Sequence, residues 1–177
     1  MELVNFIGFH KNKNKSHILL AKEGNKDAFT DLIQSHLDSM YRVAKGILKS
    51  EADVEDAIQN TILIVFNKLN TLKDESLFKT WLTKILINEC NKIYSKNKRT
   101  TLRIEEDTYT MDNHGEMDLY HAINKLPEEL KITTILFYFD DMSQKEISKV
   151  LNIAEGTVKS RLFRAKEKLY LMLKEKN

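Results

Sequence analysis

Near the end of the chain, Thr157, Lys159, Ser160, Arg161, Arg164 and Lys168 bring hydroxyl, ammonium and guanidinium groups into one short stretch. Such groups donate hydrogen bonds to phosphate oxygens and base edges, and arginine suits the paired acceptors of guanine. Their use depends on a scaffold that points them the same way. Val158, Leu162, Ala165, Leu169 and Met172 recur at spacings of four and three, which predicts a helix with one buried face. The same rotation places Thr157, Ser160, Arg161, Arg164 and Lys168 on the opposite face, with Lys159 at its flank. A shorter helix precedes it. Ser143 and Glu146 form the S-x-x-E pattern of a capping box, and Ile147, Val150 and Leu151 supply an apolar stripe. That stripe stops at Asn152, and Gly156 is expected to be the flexible point before the second helix. The pair reads as a helix-turn-helix of a size that the major groove admits. Paired amphipathic helices with a basic outer face also occur in all-α proteins that bind no DNA.

The rest of the composition narrows the alternatives. The chain has 177 residues with five Gly and one Pro, and 42% of its residues are hydrophobic. That favours helices and permits one domain or two small ones. Cys90 is the single cysteine, so there is no intramolecular disulfide and no all-cysteine metal site, and a reducing cytoplasm is the expected home. The apolar start Met1–Phe9 is too short to span a membrane, and its lysines follow it. Residues 1–17 are expected to be a disordered tail. Net charge is only +2, which excludes a general polyanion binder, but the charge is unevenly placed. Residues 96–103 hold four basic side chains and no acidic one, whereas residues 104–121 hold six acidic and no basic.

Along the chain, a short helix ends at Gly24 and Asp27 is expected to cap the next, with Ala28, Leu32, Ile33, Leu37, Met40, Tyr41 and Ala44 on its apolar face. Ser50 or Asp53 caps a third helix from Val54 to Leu69, with Val54, Ala57, Ile58, Thr61, Ile62, Val65 and Leu69 inward. Its early outer face is Glu55, Asp56, Gln59 and Asn60, and acidic groups there suit the helix dipole. Ser76 is expected to cap a fourth helix ending near Tyr94, with Trp81 in the core and Lys79, Lys84, Asn88, Asn91 and Lys92 on a polar side. Aromatic, amide and basic side chains together can hold a single strand by stacking and phosphate pairing, and they also occur on ordinary helix surfaces. Residues 100–120 lose periodicity and read as a flexible acidic linker. His114 and its neighbouring carboxylates match no metal-ligand spacing. Pro127 is expected at the first position of a helix through Ile132, Ile135 and Phe137.

Four motifs in this order resemble the extracytoplasmic-function sigma factors, the small two-domain class of sigma-70 family subunits of bacterial RNA polymerase. Asp53–Thr61 is similar to the D-x-E-D-x-x-Q of region 2.2. Ser76–Asn88 is similar to the S-x-F-x-x-W-L-x-x-I-x-x-N of regions 2.3 and 2.4. Leu126-Pro127-Glu128 resembles the opening of region 4, and Gly156–Lys166 resembles its G-T-V-x-S-R-x-x-R-A-K end. The resemblance spans about Ala21 to Lys174. Departures are Asn60 in place of a common Glu, Leu72-Lys73-Asp74 in place of an aromatic and a Gly, and Lys92 in place of an acidic residue. No particular promoter sequence is carried over.

The resemblance implies an all-α chain of two small helical domains. Residues 18–99 would be region 2, 100–120 the linker and 121–177 region 4. It implies a subunit with no catalysis and no cofactor, which binds core RNA polymerase and directs it to promoters. Glu55, Asp56, Gln59 and Asn60 would dock on the polymerase. Leu72, Lys73, Trp81, Lys84, Asn88, Asn91 and Lys92 would open and hold the minus-ten element. Thr157, Lys159, Ser160, Arg161, Arg164 and Lys168 would engage the minus-thirty-five element. An inhibitory anti-sigma protein, often membrane-bound, is a further implied partner. The rival readings are a stand-alone helix-turn-helix regulator, which would bind an operator without polymerase, and an enzyme. No nucleophile–base arrangement, Gly-rich phosphate loop or metal-spaced cluster supports the latter, and the five histidines are scattered.

Overall fold

A computed structural model describes residues 17–100, 119 and 122–174. The chain is all-α, and no strand occurs among the described residues. The carboxylate cluster around His114 lies outside them.

A first short helix, α1 (17–22), stops where Gly24 adopts φ +93°, a conformation that costs little without a Cβ. The next, α2 (Lys26–Ile47), is capped by Asn25, whose side chain accepts from the Ala28 N–H at 3.0 Å. Asp27 therefore sits in the first turn and does not cap it. The buried face of α2 is also rotated from expectation. His36 and Val43 are inside, while Leu37 and Tyr41 are about 40% exposed. Helices α3 (Glu51–Lys68) and α4 (Phe78–Thr100) pack against α2 to complete a three-helix half. Ser50 is the N-cap residue of α3, but its side chain makes no capping bond. Val54, Ala57, Ile58, Thr61 and Val65 point inward from α3, as their spacing requires. Two 3₁₀ turns, Leu69–Thr71 and Glu75–Leu77, link α3 to α4. The second is capped by Asp74, not Ser76, through a 2.9 Å bond from the Ser76 N–H. Lys22 ties this link to α1, donating to the Leu72 carbonyl at 2.6 Å and to Glu75 at 2.7 Å. The last helix of this half, α4, runs six residues past Tyr94.

The second half begins with one helical turn, α5 (122–124), followed by α6 (Glu128–Tyr138), α7 (Gln144–Leu151) and α8 (Glu155–Lys174). Pro127 stands one place before α6, at its N-cap. Asp141, at φ 47°, turns the chain toward α7, and the adjacent Met142 is buried. The α7 capping box is complete: the Glu146 N–H donates to Ser143 Oγ at 3.2 Å and the Ser143 N–H to Glu146 Oε2 at 2.8 Å. The turn that follows is made by Asn152, left-handed at φ 53°, and Gly156 is already within the first turn of α8. Asparagine tolerates that conformation better than most residues, so no glycine is required there.

The halves do not stand apart. One apolar core runs from Leu32, Val54 and Leu86 into Ile135, Leu136, Ile147 and Val158. Gly46 of α2 lies beneath Ile135 of α6, so close that a Cβ on residue 46 would overlap the Ile135 side chain. A smaller cluster of Leu126, Leu130 and Ala165 fastens α8 to α6.

Candidate nucleic-acid and polymerase interface

The residues singled out by sequence fall on three helix faces. On α3, Glu55, Asp56, Gln59 and Asn60 are all exposed on its outer side. This face continues into Leu63 and Phe66, 60% and 57% exposed, which the sequence reading passed over. Their signal was an apolar side chain at seven and ten residues from Asp56, on the polar face of the helix. Phe66 is edge-on to Phe29 at 5.2 Å. Asp53, at the root of α3, accepts from the Asn97 side chain near the end of α4 at 2.7 Å.

On α4, Trp81, Lys84, Asn88, Asn91 and Lys92 fall along one side. Trp81 is half-buried and tilted against Phe78 at 6.1 Å, and the other four are exposed. Asn88, Asn91 and Lys92 border an open groove of about 860 Å³, walled also by Ile64, Lys68, Ile85, Glu89, Ser95 and Lys96. Lys92 pairs with Glu89 at 2.6 Å, which fixes one wall. Two residues of the preceding link separate here. Lys73 is exposed, but the Leu72 side chain is buried in the core, its N–H donates to the Leu69 carbonyl and its own carbonyl accepts from Lys22.

On α8, Lys159, Arg164 and Lys168 are exposed, and Thr157, Ser160 and Arg161 are half-buried. Ser160 Oγ donates to the Thr157 carbonyl at 3.0 Å, so its lone pairs remain available outward. Phe163, 63% exposed on the same helix, is a third residue the sequence reading did not select.

The buried ionisable groups lie away from these faces. Burial pushes the Cys90 thiol up to about 12, which leaves it protonated and unreactive. His36 is held below its usual 6.5, chiefly by burial. Its Nδ1 lies 2.9 Å from the Leu32 carbonyl. A carbonyl only accepts, so Nδ1 carries the hydrogen. No group of three or more His, Cys, Asp or Glu side chains arranged to hold a metal occurs among the described residues. No helix among them is long and apolar enough to cross a membrane.

This arrangement has polar faces on three rigid helices and no reactive centre among the described residues. It suits the binding of macromolecules, and comparison with known proteins agrees. Residues 32–100 match the family described as Sigma-70 region 2, and residues 116–169 match Sigma-70, region 4.

The chain belongs to the extracytoplasmic-function group of the sigma-70 family.

Sigma-70 proteins resembling it along their whole length include RNA polymerase sigma factor SigV of Bacillus subtilis. It is 27% identical, over 86% of this chain and 95% of that one. ECF RNA polymerase sigma factor SigW of the same organism is 28% identical, over 91% and 97% respectively. Among solved structures, the sigma factor RpoE of Bartonella quintana, in complex with the anti-sigma factor NepR, is 25% identical. It superposes with a TM-score of 0.69 over 82% of this chain and 96% of that one. In sigma-70 terms, α2 from Leu32 onward, α3 and α4 fall in the region 2 match, and α6 to α8 in the region 4 match apart from the last residues of α8.

Proposed function

We propose that this chain is an alternative sigma factor that binds core RNA polymerase and directs transcription initiation at specific promoters, without catalysis of its own. The observation that carries this reading is the presence of both sigma-70 regions, in order, on one chain. In this reading residues 18–99 form the polymerase-binding and minus-ten unit, 100–120 the linker and 121–177 the minus-thirty-five unit. Glu55, Asp56, Gln59 and Asn60 dock on the polymerase. Lys73, Trp81, Lys84, Asn88, Asn91 and Lys92 hold the opened minus-ten strand, while Leu72, buried and bonded through its backbone to Leu69 and Lys22, supports the link from within. Thr157, Lys159, Ser160, Arg161, Arg164 and Lys168 address the minus-thirty-five duplex.

Magnitudes favour a tethered mode of action. A single small reading helix contacts few phosphates, and non-specific affinities are typically about 10⁻⁴ to 10⁻⁶ M. A net charge of +2 adds little to that. Holding two weak readers on one polymerase makes the second contact intramolecular, with an effective concentration in the millimolar range. The protein acts in the cytoplasm. It is a target for an anti-sigma protein, as its Bartonella relative is for NepR.

The test is reconstitution with core polymerase. Wild-type protein yields promoter-specific run-off transcripts, while free protein barely shifts the same DNA. Asp56→Arg combined with Gln59→Ala abolishes co-purification with core and leaves the helical circular-dichroism signal unchanged, because both side chains are exposed on α3. A tight gel shift without polymerase would instead favour a stand-alone regulator.

A further inference from the structure

The groove between α3 and α4 holds one carboxylate among its lysines and amides. Glu89 is 8% exposed and lines this groove. Its Oε1 accepts from Lys92 Nζ at 2.6 Å, and its Oε2 has no hydrogen-bond partner among the described residues. Nor is Oε2 sealed in protein, because the one enclosed, unpartnered side-chain oxygen among the described residues is Asp140 Oδ2. The free oxygen of Glu89 therefore opens onto the groove. Pairing with Lys92 does not account for its place there. The Lys92 side chain is 69% exposed and screened by water, so the pair contributes little. Withdrawing a carboxylate from water is costly unless its oxygens find donors. An acceptor left over in a groove awaits a donor from outside the chain.

In the function proposed above, on which the present inference rests, this side of α4 holds the opened minus-ten strand. Such a strand can enter the groove with its phosphates or with a base. Glu89 decides between them, since a phosphate is repelled by the carboxylate and drawn to the exposed Lys68 and Lys96. The base then turns inward, where Ile64 and Ile85 offer apolar surface for its ring. Its identity follows from the order of donors and acceptors. Cytosine carries an amine at N4, then two acceptors, N3 and O2. The groove matches this with one acceptor, Glu89 Oε2, and a surplus of donors. Lys92 uses one of its three N–H groups on Glu89, and the Asn88 amide adds two more. Adenine has the amine but lacks the second acceptor. Thymine and guanine carry a carbonyl at the same corner, so oxygen would face oxygen.

We propose that Glu89 selects an unpaired cytosine of the minus-ten strand, accepting its N4 amine at Oε2 while Lys92 donates to its N3 or O2 and Lys68 and Lys96 hold the flanking phosphates. A carboxylate accepting from the cytosine amine is an established pairing at base edges. Here the bond to Lys92 also fixes the carboxylate before the base arrives, so little ordering remains to be done on binding.

The test is run-off transcription with core polymerase on promoters opened in advance by mismatches across the minus-ten element, so that base pairing does not enter. Each non-template position in turn carries cytosine, thymine or a pyrimidinone, which is cytosine without its amine. At one position wild-type protein is expected to prefer cytosine to pyrimidinone by about fivefold or more. Glu89→Leu should treat the two alike there. Glu89→Gln keeps the shape, and its amide can donate as well as accept, so it should admit thymine at that same position. Lys68→Ala should lower run-off equally for every base and reduce the log–log salt slope by about 0.7. Melting and co-purification with core are followed for each variant. The proposal is overturned if wild-type protein distinguishes cytosine from pyrimidinone at no position, or if Glu89→Leu keeps the preference. Should Glu89→Leu fail to fold, Glu89→Gln decides, and rejection of thymine at the wild-type level overturns it. If wild-type protein gives no promoter-specific transcript with core, the sigma reading fails. Fluorescence anisotropy of short single strands carrying cytosine or pyrimidinone, with the free protein at low salt, still decides whether Glu89 selects the amine.

Discussion

Arg164 offers the sharpest test of how the second half meets DNA. Its side chain is exposed on α8, and the structure gives it no ion pair or side-chain hydrogen bond among the described residues. Arg164→Ala should therefore move folding stability by no more than about 0.5 kcal/mol, as expected for a surface site away from caps and core. Its effect on promoter recognition should be much larger. A bidentate arginine–guanine contact contributes about 1–3 kcal/mol of discrimination, which corresponds to a loss of roughly 5- to 150-fold in promoter preference. The assay is run-off transcription with reconstituted polymerase on promoters altered one base pair at a time across the minus-thirty-five element, with core binding and thermal melting measured in parallel. A base-reading Arg164 predicts that the variant becomes indifferent at one position and keeps the wild-type salt dependence. A phosphate-binding Arg164 predicts a uniform loss at all positions and a log–log salt slope reduced by about 0.9. Normal run-off by the variant on every promoter, or loss of core binding along with promoter specificity, would refute the assignment of this face to DNA.

Three further outcomes follow from the structure. Ser143→Ala removes the capping box of α7 and should cost about 1 kcal/mol, lowering Tm by roughly 2–4 °C for a chain of this size; calorimetry on the free protein measures it. His36 should make stability fall with acid. Its native pKa lies below 6.5, the value of the unfolded chain, so the unfolded state takes up the proton first as pH drops. Stability is thus flat above about 6.5 and declines below it until the native pKa is reached. The groups around the ring are Ser35, Leu32, Phe78, Lys79 and Asp140. His36→Phe should flatten urea midpoints between pH 7 and 5, and an unchanged slope would discount His36 as the source. Cys90 should resist alkylation at pH 8 in native protein and react at once in denaturant, as its burial and raised pKa require.

The helix-turn-helix was legible because its determinants are local. The Ser143–Glu146 box and the Val158–Leu162–Ala165 stripe each lie within a few residues. The buried face of α3 was legible for the same reason, since Val54, Ala57, Ile58 and Thr61 repeat at the helical period. What failed was decided by neighbours distant in sequence. The rotation of α2 that buries His36 in place of Leu37 follows from packing, with Phe78 of α4 meeting the imidazole ring at 5.2 Å. Asn152, not Gly156, makes the tight turn, because an asparagine in the left-handed region needs no glycine signal. Leu72 resembled a loop residue by its polar neighbours, yet its side chain fills the core beneath the link. Contact between the halves left no local trace at all. Gly46 and Asp140 each look like ordinary residues until Ile135, Ser39 and Lys79 are brought beside them.

The bond between Asp53 and Asn97 has a mechanical consequence. A helix of 23 residues such as α4 is about 34 Å long at 1.5 Å per residue. Pivoting it by about 5° at its start would sweep its far end through roughly 3 Å, close to one nucleotide step of 3.4 Å. Asn97 sits near that far end and is bonded to the root of α3, the helix whose outer side is assigned to polymerase. The pair braces the two helices against each other; under the proposed function, the angle at which α3 seats would set where the tip of α4 falls along a strand. Asn97→Ala should therefore blur the position of transcript starts by about one nucleotide without weakening polymerase binding.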